Sequence, residues 1–311
     1  MPIPFNSQLV LVGGQWRAGS SGQTLPLHNP SDGSLLAQIA RGDAADIDAA
    51  VAAAQAALDG AWGQLSAAER GRILLKMSTL TLTRANQLAN LEAQDVGKPL
   101  KQGRTDAVAL ARNLEFYGGA ADKMHGDTIP FANGYTALTL RRPHGVTGHI
   151  AQEAGLPAGA LNIVPGLGEE AGAALASHPG LAHLSFTGSV AVGRMIQAAA
   201  AINTIPVTLE LGGKARKSCL PMPTWTRPCP PWSMPASRTV ARPARRPSAS
   251  WLSGPTSTRC GAGQVFINND GAGGGIEPPF GGVKHSGHGR EKGFEALYGF
   301  SSLKTVAIKH D

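Results

Sequence analysis

Cysteine is scarce in this chain and carries no spacing. The three present, Cys219, Cys229 and Cys260, match no zinc pattern and imply no disulfide framework. Aromatic residues make up only 5%. No uninterrupted apolar run reaches bilayer length. No early apolar stretch with a basic flank marks a secretory signal. A soluble, cytoplasmic protein without membrane contact is therefore expected. Acidic residues are missing from one place in particular: residues 215–260 contain no Asp or Glu.

That same stretch holds Arg216, Lys217, Arg227, Arg238, Arg242, Arg245, Arg246 and Arg259. These eight cations exceed the net charge of +7, so the remainder of the chain is close to neutral. A nucleic-acid partner, which the overall charge invites, is not expected. The segment also holds 9 of the 22 prolines and 3 of the 5 tryptophans, without an apolar period. Prolines this dense exclude helix interiors and central strands. The segment is predicted to be disordered.

The body of the chain is different. Hydrophobic content of 42% over 311 residues suits a sizeable core. Leu9 to Trp16 reads as a strand with a turn at Gly13-Gly14. Asp46 to Ala57, Ala67 to Asp95 and Arg104 to His125 have helical spacing. Thr136 to Thr139 and Val146 to Ile150 read as strands. Beyond them the period shortens. Strands are predicted at Leu161–Val164, His183–Phe186 and Pro206–Leu211, with helices at Ala171–Ser177 and Val190–Ala200. That alternation predicts an α/β fold with a parallel sheet.

Three local features could carry chemistry. Thr187-Gly188-Ser189 opens a helix, where free N–H groups receive phosphate or where serine is an ordinary cap. Gly166 to Gly172 has glycine spacing of the dinucleotide type, a weak signal that reads as a loop-to-helix junction. Glu210 ends an apolar strand just before Gly212-Gly213. His285 and His288 sit among glycines with no acid at ligand spacing, so no metal is expected.

Taken jointly, several motifs resemble the NAD(P)-dependent aldehyde dehydrogenase family. They are Phe186-Thr-Gly-Ser189 with Gly193, Leu209-Glu-Leu-Gly-Gly-Lys214, Val265-Phe-Ile-Asn-Asn269, and Pro279-Phe-Gly-Gly-Val-Lys284 continuing to Glu291. Asn29-Pro30 and Asp95-Val-Gly-Lys-Pro99 are similar to the family's amino-terminal part. The resemblance covers residues 1–214 and 261–311. It implies oxidation of a small-molecule aldehyde to a carboxylic acid with reduction of NAD or NADP. It implies that Glu210 is the general base and that Thr187, Gly188, Ser189 and Gly193 face the cofactor pyrophosphate. In the family's chemistry a thiolate attacks the aldehyde, donors hold the oxyanion, and a carboxylate activates water against the thioester.

Against the family pattern, pieces are absent. After Ile150 the oxyanion Asn, a ribose-binding Lys and a Rossmann strand have no counterpart. A second block is absent after Cys260. Read one nucleotide out of frame, Leu220 to Pro235 can spell A-D-A-D-L-D-A-A-L-P-A-V-V-N-A, and Ala241 to Leu252 can spell Q-T-C-S-A-A-I-R-V-L-V. The family's nucleophilic cysteine would then span the Pro243 and Ala244 codons, 34 positions after Glu210. A frameshift near Lys214, restored near Cys260, follows as an expectation. The fold class expected is an incomplete aldehyde-dehydrogenase-like α/β fold, its Rossmann-like domain missing strands and most of its catalytic domain absent. Its divisions are 1–135 as the helical part of the cofactor domain, 136–150 as oligomerisation-arm strands, and 151–214 as a partial Rossmann-like region. The aberrant segment 215–260 and a catalytic remnant plus arm strand over 261–311 complete it. Losing ~10 buried side chains at roughly 1.5–3 kcal/mol each exceeds a typical net stability of ~5–15 kcal/mol. Ordered islands over 1–150 and 160–214 are predicted. Three readings stay open: an inactive remnant, an oxidoreductase using an improvised thiol, or a non-enzymatic partner. A partner would be a homo-oligomer or a co-assembly with an intact paralogue through the arm strands.

Overall fold

The computed structural model describes residues 6–148, 158–212, 249–250, 264–265 and 275–310. The chain opens with two hairpins, β1 (Leu9–Val12) with β2 (Gln15–Ala18), and β3 (Thr24–His28) with β4 (Leu35–Ala40). A helical region follows: α1 (Ala44–Asp59), α2 (Ala61–Gln64), α3 (Ala67–Thr83), α4 (Ala85–Val96) and α5 (Leu100–Ala120). Capping boxes start α1 and α3. Asp43 accepts from the Ala45 and Asp46 N–H groups, and Ser66 and Glu69 exchange bonds at α3. A glycine pair lets α3 and α5 cross closely. A Cβ at Gly71 would lie 2.4 Å from the Gly118 carbonyl oxygen, which no other residue tolerates.

Next come β5 (Thr128–Ile129), β6 (Tyr135–Pro143) and β7 (Thr147–Gly148), then α6 (Ala173–Ala176), β8 (His183–Gly188), α7 (Val190–Ala201) and β9 (Val207–Leu211). Short strands β10 (Ala249–Ser250), β11 (Gln264–Val265) and β12 (Gly287–His288) precede α8 (Gly293–Gly299) and β13 (Ser301–Lys309). The central sheet has the order β12-β9-β8-β7. Strands β7, β8 and β9 run parallel, joined by crossovers through α6 and α7, while β12 pairs antiparallel with β9. Ile47 and Val51 of α1, Leu184 of β8, Ala200 of α7 and Val146 close one core against α6. The parallel α/β arrangement is what the alternating period predicts, and its incompleteness is what the resemblance implies.

Of the segment 136–150, residues 136–148 are described, and they divide between two sheets. Strand β6 pairs with β13 over nine residues, Tyr135↔Lys309 to Pro143↔Ser301, and with β5 on its other edge. Thr147–Gly148 instead pairs with His183 and Leu184 in the central sheet. The break is physical. Pro143 has no N–H to extend a ladder, Gly145 turns the chain at φ +122°, and Val146 is buried in the core. Leu161–Val164 is not a strand either. It makes a single bridge, Leu11↔Ile163, and the Asn162 side chain takes the next position by accepting from the Gly13 N–H at 2.8 Å. Helix α5 starts at Leu100 and not at Arg104: Pro99 stands at the N-cap, and its carbonyl accepts from the Gln102 and Gly103 N–H groups at 2.8 and 3.1 Å. The segment expected to be disordered, 215–260, lies outside the described residues except for 249–250.

Candidate functional site

Strands β8 and β9 end side by side, and their register fixes the site. Thr187 pairs with Glu210 and Gly188 with Leu211. The Gly212 N–H reaches the Gly188 carbonyl at 3.1 Å. The carboxyl ends of parallel strands are where open α/β sheets receive ligands. Four of the residues singled out from sequence, Thr187, Gly188, Ser189 and Glu210, meet there.

Ser189 caps α7, its hydroxyl accepting from the Val192 N–H at 3.2 Å. Gly193 stands one turn in, where a Cβ would lie 2.5 Å from Cδ2 of Leu211. Its role is close approach: it lets α7 lie directly on β9 and aims the α7 N-terminus at the same strand ends. The N–H groups of Val190 and Ala191 stay open to an anion, with the helix dipole behind them.

Glu210 is partly buried, and its Oε1 lies inside the protein without a hydrogen-bond partner. Burial pushes its carboxyl up to about 7, and the nearby Glu291 charge adds to this. Arg290 and a backbone bond from Gly282 work in the opposite direction. An orphaned, half-ionised carboxylate at neutral pH suits proton transfer better than structural pairing.

The glycine-rich turn from Phe280 to Glu291 builds the other wall. Strand β12 pairs Gly287 with Glu210 and His288 with Leu209. Gly287 has φ +101°, and a Cβ there would lie 1.8 Å from the Leu209 carbonyl oxygen, so only glycine fits. Phe280 and Glu291 exchange both backbone bonds at 2.6 Å. Arg290 donates to the carbonyls of Gly289 at 2.6 Å and Gly282 at 3.1 Å, which fixes the turn beside the carboxylate. Tyr117 of α5 joins from below. Burial, then the Glu291 charge, pushes its phenol up to about 12, and its hydroxyl reaches the Gly293 carbonyl at 3.4 Å.

Sequence reasoning assigned no chemical role to Gly282, Arg290, Glu291 or Tyr117. The glycines of the turn signalled a special backbone, but nothing local signalled that it would pair with β9. His288 contacts Gln197 at 3.3 Å. Among the described residues no group of three or more His, Cys, Asp or Glu could hold a metal ion. Within the Gly166–Gly172 run, Gly168–Gly172 forms a π-helical turn whose Glu170 ion-pairs with Arg41. Cys219, Cys229 and Cys260 lie outside the described residues, as do the Pro243 and Ala244 positions. Among the described residues no helix is long and apolar enough to cross a membrane.

Comparison with known proteins agrees with this fold. The model of the aldehyde dehydrogenase family matches residues 16–151, 147–220 and 255–306. The chain is 39% identical over 251 residues to aldehyde dehydrogenase family 2 member B4, mitochondrial, of Arabidopsis thaliana, covering 66% of this chain and 47% of that one. It is 36% identical over 260 residues to the mitochondrial aldehyde dehydrogenase of Homo sapiens, covering 69% and 50%. The chain thus spans about half the length of the curated relatives it matches. Among solved structures, a candidate aldehyde dehydrogenase from Burkholderia cenocepacia superposes with a TM-score of 0.85 at 36% identity, covering 97% of this chain and 100% of that one. An indole-3-acetaldehyde dehydrogenase in its apo form gives 0.83 at 27% identity, covering 97% and 96%. The chain belongs to the aldehyde dehydrogenase family.

Proposed function

We propose that the chain carries part of the apparatus for NAD(P)+-dependent oxidation of a small-molecule aldehyde, and that as it stands it does not complete that reaction. One observation carries the first half. The β8–β9 register brings the helix-opening turn and the Glu210 carboxylate to one sheet end. In this reading the Glu210 carboxylate takes a proton from water. Burial, with the Glu291 charge, raises that carboxylate toward its working protonation state, and Arg290 and the Gly282 N–H limit the rise.

The residues present fit the phosphate end of a dinucleotide. Gly188 and Ser189 would lie against it, with the N–H groups of the first turn of α7 donating. Thr187 and Gly193 would fix the turn, Gly193 by the close approach to Leu211 that a Cβ would prevent. Such a cofactor, when bound, supplies the hydride acceptor.

The second half rests on the broken family match. It divides at 147–151 and leaves residues 221–254 unmatched, the positions where the sequence lacks the oxyanion Asn and the nucleophilic Cys. We read 215–260 as catalytic text translated one nucleotide out of frame. In this reading 1–135 and 151–214 form the partial cofactor domain, and 261–311 the catalytic remnant. The test is turnover of the full chain with NAD+ or NADP+ and a panel of aldehydes. No reduced cofactor is expected, and in the gene a single base inserted near the Lys214 codon should reopen the Q-T-C reading. Turnover by the unrepaired chain that disappears in Cys219→Ala, Cys229→Ala or Cys260→Ala overturns the proposal.

A second reading has its own observation. Strand β13 is a nine-residue edge, exposed along most of its length, and open edges recruit further strands. Co-assembly with an intact paralogue through β6 and β13 follows. Failure to co-purify with any full-length relative removes it.

A further inference from the structure

Helices α4 and α5 meet at backbone distance. A Cβ on Gly103 would lie 3.0 Å from the Ala89 carbonyl oxygen, and Ala89 is 1% exposed. Beside that contact the two helices leave a cavity of about 280 Å³. Asn86, Ala89 and Asn90 line it from α4, and Leu100, Lys101 and Arg104 from the start of α5. On each helix the spacing places these residues on one face.

The polar lining is made of donors. Two amides and two cations contribute, and no carboxylate does. The neighbouring acids are already engaged. Glu92 and Asp106 both pair with Lys98, Asp106 at 2.8 Å, and Gln102 donates to Asp106 at 3.0 Å. Neither Lys101 nor Arg104 has an ion pair among the described residues. The first turn of α5 has no side-chain cap, which adds positive potential from its open N–H groups. Ala89, Leu100 and the aliphatic stems of Lys101 and Arg104 supply an apolar wall. A cavity walled by carbon and rimmed by unpaired cations selects an anion that carries a short apolar body.

We propose that this cavity binds a small organic anion. Its carboxylate or phosphate head accepts from Lys101 and Arg104, Asn86 and Asn90 donate from the side, and its body lies against Ala89 and Leu100. Guanidinium suits either head group because it offers two parallel donors. The site uses none of the strands that carry Glu210, so it stands or falls independently of the aldehyde chemistry.

Ligand-observed NMR on the full chain tests it, with benzoate and phenyl phosphate as separate probes. Saturable binding of at least one probe is expected, and comparing the two identifies the preferred head group. The double variant Lys101→Gln/Arg104→Gln should weaken it at least tenfold. Lys304→Gln/Lys309→Gln removes the same charge from the exposed strand β13 and should leave it unchanged. All four side chains are exposed, so far-UV circular dichroism should match among the variants. A signal that does not saturate, or an equal loss in both double variants, overturns the proposal.

Discussion

Two buried carboxylates sit in this molecule under opposite conditions. Asp46, at the start of α1, is 0% exposed and fully used. It pairs with Arg17 at 2.9 Å and accepts from the Ser20 N–H at 3.0 and 3.1 Å and the Ser20 hydroxyl at 3.1 Å. Glu210, at the end of β9, is only partly buried, yet one of its oxygens has no partner. The difference separates two uses of a buried acid. Where every lone pair is satisfied the carboxylate is a clasp, here tying the first hairpin to α1. Where one is left open, with its pKa raised, the acid is poised to exchange a proton.

The strongest way to break this contrast is to remove the clasp. Asp46→Ala leaves the Ser20 N–H without its acceptor and Arg17 without its partner. Guanidinium denaturation should register a loss of about 3 kcal/mol. A loss within experimental error would mean that Asp46 is no more structural than Glu210. Next is Gly193→Ala. Its Cβ meets Cδ2 of Leu211 at 2.5 Å, so the Leu211 side chain must move aside at a cost of about 1 kcal/mol. Gly193→Ala combined with Leu211→Ala should cost less than the two changes summed, because the deleted side chain makes room for the new methyl.

Glu210 itself sharpens the contrast through pH. Its folded pKa of about 7 lies above its ordinary value of 4.5, so between those values the folded state holds a proton that the unfolded state has released. Stability from this group is fully present below pH 4.5 and falls as pH rises toward 7. After allowance for solvent screening, the fall is on the order of 1–2 kcal/mol. Glu210→Gln should flatten that part of the pH–stability profile. An unchanged slope would remove Glu210 as its source.

How much of this was legible follows from the range of the interactions. The capping box at Ser66–Glu69, the alternation from β8 through α7 to β9, and the turn into α7 are local, and each is written within a dozen residues. The pairing of β12 with Glu210 is not. A two-residue strand has no period, and its partner lies more than 70 positions away. Tyr117 approaches Glu291 only because α5 packs against the C-terminal turn, which its helical spacing does not announce. The division of 136–148 between two sheets is not written locally for a related reason. Both halves have strand composition, and only the buried position of Val146 decides which sheet receives the second.

Ser189 gives the smallest effect and the finest distinction, between a helix that is merely capped and one whose start also receives phosphate. Its hydroxyl is already committed to the Val192 N–H. Ser189→Ala should therefore cost about 1 kcal/mol, and Ser189→Gly only a few tenths, as at an ordinary N-cap. Stability alone cannot separate the two roles, since both retain the cap. Reduced-cofactor fluorescence on the full chain can. If the open N–H groups of Val190 and Ala191 receive the pyrophosphate, Ser189→Gly keeps the fold and the binding, because the donors are backbone. Lengthening the side chain with Ser189→Glu instead puts a negative charge against those donors. That change should abolish binding while remaining compatible with the helix, because an acid suits the dipole at its N-terminus. Equal binding by Ser189→Gly and Ser189→Glu would leave Ser189 as a cap and nothing more, and Glu210 would then face a strand end that holds no cofactor.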